Sequence, residues 1–255
     1  MTGVCETRKG YWAVDASLQH IEAGIFASDL HLFTSRSSEL PCLSRFPRVG
    51  AAHQCVVLGG DVFDFRWSRH KSMEATLDAA LAWLERLLAS VGDSHVVYLP
   101  GNHDSDPALL ARLEELAAMH PRFCWRQHWL QLGDCLFLHG DILEAKGCER
   151  TLHSYRAQFH AERPRPAWMH RGYDLVVTAR MHRWIPQVRH RPMATCKRLG
   201  QIVRQLPLPA PDAVRRIYFG HTHVPLEGLS VEGFRFFNPG AGFRHMQWQP
   251  CAFEV

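Results

Sequence analysis

An α/β fold built on a mostly parallel sheet is the class this chain predicts, on three observations. Short apolar runs alternate with amphipathic helical stretches through the first half, the order that gives parallel strands covered by helices. Five apolar runs (21–27, 55–58, 95–99, 135–138 and 216–219) read as buried strands, and each ends in a polar signature. In order these are Asp29-Leu30-His31, Gly59-Gly60-Asp61, Gly101-Asn102-His103-Asp104, His139-Gly140-Asp141 and Gly220-His221-Thr222-His223. Side chains set just beyond strand ends gather along one sheet edge, where open α/β sheets bind their ligands.

Taken in order, the first twenty residues show no convincing period and read as a lead-in, followed by strands at 21–27 and 55–58. Met73, Leu77, Leu81, Leu84 and Leu88 recur at helical spacing, which predicts a helix over 72–90. After the strand at 95–99, Asp106-Pro107 supplies an N-cap and a proline at the first helical position. That helix runs through Leu109, Leu110, Leu113 and Leu116 towards His120-Pro121. Runs at 129–132 and 135–138 flank Gly133-Asp134 as a hairpin.

Residues 142–215 then read as a helical, basic cap inserted in a single domain that spans 1–255. Leu152, Tyr155 and Phe159 mark one helical face in it; Leu175, Thr178, Met181 and Ile185 mark another. Pro164, Pro166, Pro186 and Pro192 punctuate these stretches, and Pro207, Pro209 and Pro211 close the insert. Arg150, Arg156, Arg163 and Arg165 flank the first helix and read mainly as a solvated face. Strands return at 228–231, 234–237 and 252–255, around an Asn238-Pro239-Gly240 turn.

Hydrophobic residues at 46% and charged residues at 21% fit a globular chain rather than a disordered one. The net charge of +4 is unevenly spread: residues 142–216 carry 15 Lys+Arg against 5 Asp+Glu, leaving 14 against 20 elsewhere. A basic segment beside an acidic core points to an anionic substrate. The eight cysteines are scattered without a Cys-x-x-Cys pair, and Cys55 and Cys135, inside strands, read as reduced small hydrophobes. No secretory leader pattern and no run near the roughly 20 apolar residues of a membrane span is found. A cytoplasmic protein with no transmembrane segment is expected. No sequence feature sets the oligomeric state.

Each signature alone is common. Five in sequence, each after a strand and each bringing carboxylate, imidazole or amide groups, point to a centre for divalent first-row metals.

The set Asp29-x-His31, Gly60-Asp61, Gly101-Asn102-His103-Asp104, His139-Gly140 and Gly220-His221-Thr222-His223 resembles the calcineurin-like metallophosphoesterases. The resemblance implies a four-layer α/β/β/α sandwich, phosphoester hydrolysis and a two-metal centre. One metal would be held by Asp29, His31, Asp61 and His223, the other by Asp61, Asn102, His139 and His221, with Asp61 bridging. Manganese is the first expectation for both ions, with iron, zinc, magnesium and nickel also suited to these ligands. By the same resemblance His103 lies near the leaving-group oxygen, stabilising charge or donating a proton, and Asp104 is expected to orient its ring. Asp64, Arg66, Trp67 and Arg69 are candidate substrate contacts, with solvated turn or core packing as the alternative. Asp141 reads as a loop cap or a site residue, and Arg244 and His245 as pocket or surface residues.

Within the family the signatures look closest to the UDP-2,3-diacylglucosamine hydrolase branch, which cleaves a pyrophosphate and carries a helical insert at the same place. His103 stands where that branch typically has arginine, and the insert here is longer. Two other functions stay open: a phosphodiesterase or nuclease whose basic insert grips nucleic acid, and a non-catalytic binding scaffold on the same fold. Peripheral membrane contact through the insert is a further alternative.

Overall fold

The structure is a computed structural model that describes residues 18, 20–37, 54–160, 169 and 190–255. The lead-in before Leu18, the second insert helix expected around Leu175–Ile185, and Arg163 and Arg165 lie outside the described residues.

Two five-stranded sheets are present among the described residues. In the first, β1 (Ala23–Ala27), β2 (Cys55–Leu58), β3 (His95–Tyr98) and β4 (Phe123–Trp125) run parallel, and β10 (Cys251–Glu254) pairs antiparallel with β1. The run Cys55-Val56-Val57-Leu58 is buried throughout, as a central strand covered on both faces must be. In the second, the order is β5 (Trp129–Leu132), β6 (Cys135–Leu138), β7 (Arg216–Phe219), β9 (Phe234–Asn238), β8 (Leu226–Val231). β6, β7 and β9 are mutually parallel, with β5 and β8 antiparallel at the edges.

Helix α1 (Met73–Ser90) begins where Ser72 Oγ accepts the Ala75 N–H at 3.1 Å. Helix α2 (Pro107–Met119) begins where Asp106 accepts from Ala108 at 2.8 Å, and both caps answer N–H groups that a helix start leaves open. Leu77, Trp83, Leu84 and Leu87 of α1 and Leu109, Leu113 and Leu116 of α2 pack on Val56, Leu58, Val96 and Tyr98 of the first sheet. On the second sheet, Leu152 of α3 (Glu149–His160) and Cys196, Leu199 and Val203 of α4 (Pro192–Val203) cover Leu136, Ile217 and Phe236.

A third core lies between the sheets. Phe26, Val57, Val97 and Phe253 of the first meet Leu130, Phe137 and Tyr218 of the second. Phe137 stacks on Tyr218 at 5.0 Å between ring centroids and meets Phe253 edge-on at 4.7 Å. Three apolar interfaces separate helices, sheet, sheet and helices: the four-layer α/β/β/α sandwich.

The expected strands and the α1 and α2 helices are present with ends shifted by at most two residues, and α3 carries the expected face of Leu152, Tyr155 and Phe159. Two elements differ from expectation. β4 is only three residues and carries little period of its own. Pro192, read as punctuation, is instead the first residue of α4, where its fixed φ and missing N–H cost nothing. Trimming Phe137 to alanine is expected to cost about 3–5 kcal/mol, as for other buried aromatic truncations. Urea unfolding of the metal-free protein checks this, and a loss below about 1 kcal/mol would show that the inter-sheet core collapses around the gap.

Candidate metal centre

The five polar signatures meet at one end of the sandwich, where β1, β2 and β3 of one sheet and β6 and β7 of the other finish. The loops after β1 and β2 continue the ladder beyond the strands. Asp29 N–H donates to the Gly60 carbonyl (3.0 Å), His31 N–H to Asp61 (2.9 Å) and Leu32 N–H to Val62 (2.9 Å). Here and in the loop after β7 the backbone repeatedly turns left-handed: Asp29 (φ 54°), His31 (46°), Asp61 (51°), His221 (65°) and His223 (57°) all have positive φ. Such a conformation costs of order 1–3 kcal/mol at a non-glycine residue and is held only where its surroundings over-determine it. Asp and His tolerate it better than bulkier residues. Glycines flank these turns because nothing larger fits: a Cβ on Gly220 would collide with the Asp29 carboxylate, and one on Gly101 with Asp61.

Asp29 is fully buried. Its carboxylate accepts from the Ser28 hydroxyl (2.6 Å) and from the His221 N–H (2.9 and 3.0 Å to its two oxygens), while Oδ1 lies 3.3 Å from His223 Nε2. Burial would raise its pKa, but His223 and His139 outweigh it and hold the carboxyl below its usual range. His31 Nε2 lies 3.2 Å from His223 Nε2, so two ring nitrogens and Asp29 Oδ1 converge on one point. Asp29, His31 and His223 could hold an ion there.

Asp61 occupies the middle. Oδ1 accepts the His103 N–H at 2.8 Å, and Oδ2 lies 3.8 Å from His31 Nε2 and 3.4 Å from His139 Nε2. Burial disfavours its charge, yet His139 and His103 hold it well below the ordinary range. His139 Nδ1 lies 2.9 Å from the Gly59 carbonyl; an acceptor there requires a proton on Nδ1 and turns Nε2 towards the centre. Burial lowers the His139 pKa, but the Asp61 charge dominates and pushes it up to about 10, so this ring must shed a proton before it can ligate. Asn102 Oδ1 completes this side, 3.2 Å from His139 Nε2 and 3.0 Å from His221 Nδ1. The structure thus brings all seven expected ligands together. Their oxygen and imidazole donors fit divalent first-row metals.

The neighbours of His103 differ from expectation. Asp104 is fully buried and faces the fold instead of the His103 ring. It accepts from Tyr98 Oη (2.6 Å), the Val62 N–H (2.7 Å) and the Gly101 N–H (2.6 Å). Adjacent residues point apart in this tight turn, so Asp104 clamps the second and third loops together. The carboxylate beside the His103 ring is Asp64, with Oδ1 3.2 Å from His103 Nδ1 and Oδ2 3.4 Å from His31 Nδ1. Asp64 is buried among these rings rather than in a solvated turn, and it still borders the cavity above them. Against burial, His103 holds its carboxyl far below the ordinary range, while Asp64 and Asp61 raise His103 to about 9. His103 also stands near enough to His31 and Asp61 to join them around an ion.

A cavity of about 330 Å³ opens over these groups. Asp64, Arg66 and Trp67 line it as expected, whereas Arg69, Arg244 and His245 are exposed and outside its lining. Arg36, which the sequence reading passed over, is almost wholly buried, lines the cavity and lays its guanidinium 4.3 Å from the Trp67 ring centroid. No motif marks it; only its place seven residues after Asp29 does. Asp141, read as a loop cap or a site residue, is a buried partner of Arg156 (Nε to Oδ2 2.7 Å), which corrects the solvated reading of that arginine.

A family model for calcineurin-like phosphoesterases matches residues 25–225. No curated protein matches the chain significantly.

In the metal-free protein the His103 ring is expected to titrate near 9 and Asp64→Asn to return it towards the ordinary value of about 6.5. Because the folded pKa is raised, the pair stabilises the fold below pH about 6.5 and that contribution fades as pH climbs through 9. NMR titration of the imidazole resonances measures both; an unshifted His103 in the wild type would contradict the pairing.

Proposed function

From a chain that belongs to the calcineurin-like phosphoesterase family, and so hydrolyses phosphate esters with metal ions, we infer a particular division of labour at the site. Asp29, His31, Asp61 and His223 would hold one divalent ion, and Asp61, Asn102, His139 and His221 would hold the other. The observation that carries this reading is the place of Asp61 Oδ2 between His31 Nε2 and His139 Nε2, at 3.8 and 3.4 Å. When bound, such a pair of ions supplies an activated water and offsets charge on the phosphoryl oxygens. Manganese is the proposed metal.

The remaining steps belong to side chains. Asp61 takes the bridging place because the His103 N–H fixes its Oδ1 and turns Oδ2 to the centre. Asp64 keeps the His103 ring protonated and oriented, and His103, partly exposed to the cavity, donates that proton to the departing oxygen. Positioned acids of this kind contribute about 10²–10⁴-fold to rate. Arg66 and Trp67, with Arg36, line the cavity that would take the ester.

For substrate, the reading favoured is a nucleotide-linked pyrophosphate of the UDP-2,3-diacylglucosamine kind, supported by the likeness of the signatures and by the basic segment taken as a cap over 142–215. The free cysteines Cys55, Cys135 and Cys196, all buried, support a reducing compartment, and the cytoplasm is the proposed location.

Asp61→Asn is expected to lower metal content below two ions and abolish turnover; full activity with both ions retained would refute the bridging role. His103→Ala should keep both ions and slow hydrolysis of esters with poor leaving groups by about 10²–10⁴-fold. Metal analysis and rates on bis(4-nitrophenyl) phosphate, UDP-2,3-diacylglucosamine and single-stranded nucleic acid separate these roles. Preference for the acylated nucleotide supports the pyrophosphatase reading, and preference for nucleic acid discards it.

A further inference from the structure

We propose that the inward face of α3 forms an aromatic subsite for a planar group of the substrate, and that the buried Arg156–Asp141 pair fixes this subsite over the metal-competent residues. It rests on the phosphoester-hydrolase reading and extends it to the group that flanks the phosphate.

Residues 152, 155, 156 and 159 share one helical face. Leu152 plugs into the outer core of the second sheet, which sets how deep the helix sits. Tyr155 and Phe159 line the cavity, their rings edge-to-face at 5.3 Å. Phe159 lies 5.2 Å from the His103 ring and Tyr155 6.4 Å from the His221 ring. The same cavity is lined by Trp67 and by Phe243, which stacks on His31 at 4.5 Å. Aromatic faces placed around the phosphate position select flat rings, through offset or edge-to-face contact.

Between Tyr155 and Phe159, Arg156 is 4% exposed. Its Nε and Nη2 donate to the two oxygens of Asp141 (2.7 and 3.1 Å), and Nη1 donates to the Gln127 carbonyl (2.9 Å). A guanidinium bound through two parallel hydrogen bonds is fixed in angle as well as distance, which an ammonium cannot reproduce. Asp141 stands two residues after His139. The helix wall is therefore pinned to the strand end that carries a metal-competent imidazole, and wall and floor keep one geometry. Arg156 is a positioning residue; Tyr155 and Phe159 make the contact.

The test uses the metal-loaded full chain and two probes with the same anionic head, phenylphosphonate and methylphosphonate, measured by calorimetry. Wild type is expected to bind the phenyl probe about tenfold more tightly, the scale of one aromatic contact. Phe159→Leu and Arg156→Leu should erase most of that preference while leaving methylphosphonate affinity within about twofold. Arg156→Leu should also raise KM on bis(4-nitrophenyl) phosphate by a larger factor than it lowers kcat. Arg156→Lys should give an intermediate preference, and carries the comparison should the leucine variant not fold. Equal affinity of wild type for the two probes, or equal losses for both in the variants, overturns the subsite. Wild type that prefers the phenyl probe but hydrolyses no ester keeps the subsite and defeats the phosphoesterase reading; hydrolysis without the preference does the reverse.

Discussion

A fully buried carboxylate at a strand end, Asp29, ties the two sheets together where the chemistry sits. It follows β1 of one sheet and receives the His221 N–H that follows β7 of the other. An ionised carboxylate removed from water costs several kcal/mol unless donors and cations replace its hydration. Here the Ser28 hydroxyl, the His221 N–H and the His223 ring do so. The same demand explains the left-handed turns at Asp29, His221 and His223, because only a sharply reversed backbone brings an N–H and a nearby imidazole onto one carboxylate. The strain is tolerable because three apolar interfaces hold the strands whose ends are bent.

Most of the fold was legible because its signals are local. The buried runs at β2 and β6, the Ser72 and Asp106 caps and the Gly133-Asp134 hairpin each announce themselves within a few residues. β4 did not, since Phe123, Cys124 and Trp125 are a strand only by virtue of pairing with β3. Pro192 misled because proline ends a helix from inside but starts one at its first position. The seven candidate ligands were legible for another reason: each signature sits directly after a strand, so topology alone collects them at one edge.

What sequence could not assign was which acid serves which imidazole. Asp104 adjoins His103 in the chain and was expected to orient it, yet its oxygens are spent on Tyr98, Val62 and Gly101. Asp64, 39 positions earlier, takes that place because the loops after β2 and β3 lie side by side. Arg36 was passed over and Arg156 read as solvated on similar grounds. An arginine reads as surface by composition, and burial is decided by partners far away in sequence: the Trp67 ring for one, Asp141 and Gln127 for the other.

The site divides into parts held by different forces. Its floor is backbone-determined: Asp29, Asp61, His139, His221 and His223 are set by strand ends, ladder hydrogen bonds and glycines that admit no side chain. A substitution there disturbs several neighbours at once, since each carboxylate answers two or more donors. The wall is side-chain-determined. Tyr155 and Phe159 ride on α3, which meets the core mainly through Leu152 and the Arg156 fork. Changing a ring on that face alters what fits beside the phosphate without unmaking the metal-competent centre. Reaction chemistry therefore resides in the sheets, whereas selectivity resides in a helix fastened to them by one buried ion pair.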